Sequence, residues 1–201
     1  MTYELATVSC PDDIALAETL RVADFRWQRG YEPRTLARAV YVKNDGFLIR
    51  MECAESEPRA LYTEPDDPVH RDSCMECFIN FAPETDARYI NLEANANGAL
   101  HCKFGAGRSD RVSLRALGLP LPTVEAYVGD TGWMLDFFVP LGCVAALYGR
   151  GEFSDGAVFR ANFYKCGDET ALPHYGMWSG VDAPQPDFHR PEYFGELVFR
   201  E

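Results

Sequence analysis

At 201 residues the chain has the length of one large domain, and its 47% hydrophobic content is ample for a core. A net charge of −12 and a pI near 4.8 argue against nucleic acid or an anionic membrane as partner. No apolar run approaches the length of a membrane span, and the opening Met1-Thr2-Tyr3-Glu4-Leu5 lacks the basic and apolar regions of a leader.

In chain order, Thr2–Val8 reads as an opening strand. Residues 11–20 read as a short helix with Asp12 and Asp13 near its start. Residues 37–43 and 47–53 flank Asn44-Asp45-Gly46, a hairpin signal. Strands follow over 73–81, 89–96 and 99–104, the last two joined at Asn97-Gly98. Residues 108–119 read as a loop or weak helix. Residues 123–128 and 133–139 flank a second turn at 129–132, and Pro140 introduces a short helix over 141–148. Strands over 158–165 and 196–199 close the chain. About ten strands joined by short turns, with one or two short helices and no strand–helix alternation, predict an all-β, antiparallel β-sandwich as a single domain over residues 1–201.

One strand carries an anomaly. Cys74-Met75-Glu76-Cys77-Phe78-Ile79-Asn80-Phe81 is almost wholly apolar, as expected of an inner strand, yet Glu76 sits in its middle. An unpaired buried carboxylate costs several kcal/mol, so either a cation compensates Glu76 or it lines a wet cavity. The next strand alternates: Ile90, Leu92 and Ala94 face one way, Tyr89, Asn91, Glu93 and Asn95 the other. With the turn centred near Glu84 and Thr85, Glu76 falls opposite Glu93, an arrangement that calls for a positive charge between them. Further on, Arg160, Asn162 and Tyr164 share a strand face, and Arg160 is the candidate cation. Trp178, between Gly176 and Gly180, reads as a loop tryptophan suited to stacking on a sugar ring, with a core plug as the alternative. Trp133 reads as core; Trp27 fits either role.

Other chemistries find less support. Seven scattered cysteines suit buried free thiols in a reducing cytoplasm, or a secreted location if a leader has been removed. Cys74 and Cys77 match CxxC, but a strand sends their thiols to opposite faces and no second CxxC follows. His70, His101, His174 and His189 are dispersed, with no triad-like neighbourhood and no GxSxG motif. Gly105-Ala106-Gly107 lacks the rest of a phosphate-binding fingerprint.

The ordered set of 72–79, 89–95 with Gly98, 159–164, Trp178-Ser179 and Phe188-His189-Arg190-Pro191-Glu192-Tyr193-Phe194-Gly195 resembles the carbohydrate-binding module family 9-like proteins of the DOMON-like β-sandwich superfamily, from about Ala39 to Phe199. The resemblance implies a non-catalytic protein that holds a small saccharide or chain end between aromatic rings, with hydrogen bonds from acid, arginine and amide groups. Glu76, Arg160, Asn162 and Trp178 match that pattern, and Glu93, Asn95 and Tyr164 complete the expected site. No second stacking tryptophan is identifiable. The resemblance also implies calcium, although no Asp/Asn-rich loop is visible. Three alternatives stay open: a glycoside-active enzyme using Glu76 and Glu93, haem bound through Met51 or Met75 and a histidine, and a scaffold whose acids form a satisfied internal network.

Overall fold

A computed structural model describes residues 1–27 and 30–201. Fourteen strands form one continuous curled sheet: β1 (Thr2–Val8), β2 (Leu20–Val22), β3 (Asp24–Phe25), β4 (Thr35–Val42), β5 (Gly46–Cys53), β6 (Cys74–Asn80), β7 (Tyr89–Asn95), β8 (Leu100–Gly105), β9 (Val112–Ser113), β10 (Thr123–Gly129), β11 (Gly132–Pro140), β12 (Val158–Cys166), β13 (Tyr175–Met177) and β14 (Gly195–Arg200). The main path runs β10-β11-β5-β4-β1-β14-β12-β6-β7-β8-β9. It folds over so that the β10–β4 portion packs on the β14–β8 portion, which makes an all-β sandwich. The pairing is antiparallel except at β1, which runs parallel to both β4 and β14 and so joins the two portions.

The expected strands are present. The excess over ten comes from short pieces: β2, β3, β9 and β13 have only two or three residues each, below the length at which alternation is readable. The first helix is a 3-10 turn over Pro11–Leu16, whose Ile14 packs on Val40, Val42 and Leu48. The second is α1 (Leu141–Tyr148), closed by Gly149 at φ 69°.

Alternation assigns β6, β7 and β12 two different faces. Met75, Cys77, Ile79, Ile90, Leu92, Ala94, Phe159, Ala161 and Phe163 enter the inter-sheet core. Cys74, Phe78, Tyr89, Tyr164 and Cys166 face outward, yet they are buried too, because residues from Val69, Val181, Phe188 and Phe194 cover them. These strands are therefore buried on both faces, and a polar outward residue must face a partner or a cavity.

Candidate functional site

Glu76 pairs with Glu93 across β6 and β7, as the hairpin register predicts, and with Tyr164 across β6 and β12. Both acids lie on the floor of a cleft of about 470 Å³ over the outer face. Cys166, His101, Lys103, Arg108, Arg111 and Asp168 also line it, with an aromatic rim from Tyr175 and Phe188. The closing segment of the chain forms one wall. His189 stacks on Phe78 at 4.8 Å, and its Nδ1 lies 2.9 Å from the Tyr89 hydroxyl. Phe188 stacks on Tyr164 at 4.1 Å and accepts that residue's hydroxyl on its carbonyl. Burial holds His189 neutral, its pKa pushed down to about 2.

The two acids are compensated unequally. Glu93 accepts from Asn91 Nδ2 at 2.7 Å and lies 3.6 Å from Arg111, which also donates to Asn91 Oδ1. Among the described residues, Glu76 accepts only from the Cys166 thiol, at 3.0 Å. Burial, and then the Glu93 charge, raise the Glu76 pKa well above the ordinary carboxylate value. Arg111 is the cation the acids call for, and the sequence reading missed it. It sits in the 106–111 loop, where Asp110 accepts the backbone N–H groups of Ala106 and Gly107. A Cβ on Gly105 would come 2.7 Å from the Arg111 Cα, so the glycine serves this close approach.

Other expected residues are placed differently. Arg160 is four residues along β12 from Tyr164. It donates to the Phe194 carbonyl and lies 3.4 Å from Glu196, outside the cleft. Asn162 is spent on structure: its Nδ2 donates to the Ser179 carbonyl, and its Oδ1 accepts from the Ser179 and Phe163 N–H groups. Asn95 likewise latches a loop, donating to Tyr62 O and Asp72 and accepting from the Asn97 and Ala99 N–H groups. Tyr164 underlies Phe188 and is fully buried.

Trp178 corrects the stacking expectation. It is 6% exposed, belongs to the inter-sheet core and packs edge-on against Phe163 at 5.7 Å. Its backbone N–H donates to the Phe163 carbonyl just past the end of β13, so the segment is irregular, as expected, but the ring is not exposed. Gly195 leaves room for the ring. Trp27, half-buried, instead backs the rim: it lies 5.9 Å from Phe188 and 6.3 Å from Tyr175, and donates to the Ala183 carbonyl. Trp133 is core, as expected. Three of the four histidines, His70, His101 and His189, line the cleft although the sequence disperses them. Met51 and Met75 sit in the inter-sheet core, on the opposite side of the sheet from those histidines. Among the described residues no three carboxylates converge, so their side chains do not form the oxygen-rich cage that calcium favours.

A second depression, of about 490 Å³, lies beside the β10–β11 turn. Arg34 and Glu52 are its only charged lining residues, and Glu52 is paired with Arg38 at 2.6 Å. Tyr127 and Trp133 also line it, but Trp133 is buried in the core and no second acid joins Glu52.

The family model for carbohydrate-binding family 9 matches residues 13–199. The chain belongs to carbohydrate-binding family 9. A Bacteroides uniformis crystal structure, provisionally described as a carbohydrate-binding protein, shares 26% identity and a TM-score of 0.82, over 100% of this chain and 99% of that one. Two structures of a family 9 module from Caldicellulosiruptor kristjanssonii also share the fold. The complex with cellotriose has a TM-score of 0.70 at 9% identity, covering 100% of this chain and 94% of that one. The complex with glucose has 0.68 at 10%, covering 100% and 96%. Among curated proteins none matches the chain. Family 9 membership makes carbohydrate binding the activity the cleft has to be weighed against.

Proposed function

We propose that the outer-face cleft binds a small saccharide or the end of a saccharide chain without chemical change. The observation that carries this reading is the Glu76–Glu93 pair on the floor of a 470 Å³ cleft with aromatic rings at its rim. A sugar needs in-plane hydrogen bonds to its hydroxyls and an apolar surface against its C–H face. Glu93, held by Arg111, accepts from hydroxyls, and Glu76, its pKa raised by burial, accepts and in its protonated form also donates. Lys103, Arg108 and His101 contact ring and hydroxyl oxygens from the facing wall. Tyr175, half-buried and backed by Trp27, takes the stacking role expected of Trp178. Glucose and cellotriose, held by the Caldicellulosiruptor module, are the first ligands to try.

Calorimetric titration of the wild type and Glu93→Ala with glucose and cellotriose tests this. Loss of a hydrogen bond to a charged group costs about 1.5–3 kcal/mol, so affinity should fall roughly 10- to 150-fold. Equal affinity in the variant would refute the assignment.

The acid pair supports a second reading. A carboxyl whose pKa is raised by burial beside a second carboxylate is also the arrangement of a glycosidase acid and its partner. Sustained product release from a chromogenic glycoside, abolished by Glu76→Gln, would favour that enzyme over a binding module.

A further inference from the structure

The outward face of β6 and β12 brings together two thiols, Cys74 and Cys166, that lie far apart in the sequence. Cys74 pairs with Cys166 across the strands, and Glu76 follows Cys74 on the same face. Both cysteines are free and buried. One donor atom from each of Cys74, Glu76 and Cys166 lies within 4.8 Å of the others. Donors around a tetrahedral ion at bond lengths of about 2.0–2.3 Å lie about 3.3–3.8 Å apart. Cys166 Sγ and Glu76 Oε1, 3.0 Å apart, are already that close, and rotation of the Cys74 side chain brings in the third donor. Among the described residues, no other His, Cys, Asp or Glu group converges this closely.

We propose that Cys74, Cys166 and Glu76 form a binding site for a thiophilic divalent cation of the zinc or cadmium type. Two sulfurs and one oxygen make a soft donor set that selects such ions over calcium or magnesium. Glu76 and Cys166 line the cleft while Cys74 does not, so the cleft supplies the entry path and the ion's open position faces it. His70 and Asp168, also in that lining, are within the cleft to complete the shell. Binding is balanced by proton release: each thiol, and the protonated Glu76 carboxyl, gives up its proton as it bonds the ion, three protons per ion, and no electrons are exchanged. Arg111 and Lys103 in the same cleft offset the negative charge of the ligands.

The test is a cobalt(II) titration of the reduced, metal-free protein. The expected result is one equivalent bound, with thiolate-to-cobalt charge-transfer absorption that zinc abolishes by displacement. The Cys74→Ser/Cys166→Ser double variant should lose the charge-transfer band, and Cys102→Ser, which alters a buried thiol outside the cluster, should keep it. Glu76→Gln retains both thiols and a foldable core, and should weaken cobalt binding about tenfold while keeping the band. No band in the folded wild type, or a band that survives in the double variant, would overturn the site. Unchanged cobalt affinity in Glu76→Gln would overturn the carboxylate's place in it.

Discussion

Two buried carboxylates lie on opposite sides of β12, and they are treated in opposite ways. Glu55, on the inner side, lies 3.2 Å from Lys165 Nζ and accepts from Trp133 Nε1 and the Ser73 hydroxyl, both at 3.0 Å. Lys165 is itself fully buried, and donates to the Cys166 carbonyl and to His174 Nε2 at 2.7 Å. With Nε2 accepting, His174 carries its proton on Nδ1 and donates to the Leu172 carbonyl. Burial and the Lys165 charge hold that ring neutral, its pKa pushed down to about 4. Glu76, on the outer side, has a thiol, an acidic neighbour and a cleft. A closed, satisfied network fixes the fold, whereas an acid left short of donors beside open space is poised for a ligand.

The largest expected effect breaks the closed side. Lys165→Met leaves Glu55 buried without its cation, which costs about 3–5 kcal/mol and roughly 6–20 °C of thermal midpoint. A midpoint within a degree of wild type would show that Glu55 is not held as described.

Trp178→Ala sharpens the contrast, because its ring belongs to the inner side. Truncating a core tryptophan costs about 3 kcal/mol or more, read by denaturant unfolding. Saccharide affinity of the folded variant should stay unchanged. A selective loss of affinity at full stability would restore the stacking role.

Arg111→Gln acts on the outer side and removes the cation that holds Glu93. We expect a loss of about 1–3 kcal/mol in stability by denaturant unfolding, with weaker saccharide binding.

The smallest effect has the opposite sign. Above pH 4.5 the unfolded chain has released the Glu76 proton while the folded chain keeps it. Stability therefore falls as pH rises, until Glu76 itself ionises. Glu76→Gln should melt higher than wild type at pH 7 and together with it near pH 4. His174 and His189 contribute the reverse slope. They stay neutral when folded but bind protons below pH 6.5 when unfolded, so they destabilise the fold as pH falls through that value. A Glu76→Gln melting curve parallel to wild type across this range would place an ionised Glu76 in the fold.

Much of the fold was legible because alternation and hairpin turns are local. Val158 through Lys165 and the Glu76–Glu93 register could be read directly, since a period of two and one turn length determine them. The parallel placement of β1 depends on residues near position 200 and has no local signature. The site was legible only where the strands carry it. Arg111 enters from an irregular loop, so the acids' cation was sought on a strand, at Arg160. Trp178 was misassigned because its flanking glycines serve close packing, Gly176 against Phe25 and Gly180 against Asp24 and Arg26, and do not mark an exposed loop. Cys74 was weighed with its sequence neighbour Cys77, while its spatial partner is Cys166.

If the saccharide sits in the outer-face cleft, a glucose or cellotriose titration followed by amide chemical shifts will locate it there. Saturable shifts are expected at Met75–Cys77, Leu92–Ala94, the 106–111 loop and Pro186–His189. Saturable shifts confined to the Tyr127–Trp133 depression, or none with either sugar, would contradict that placement.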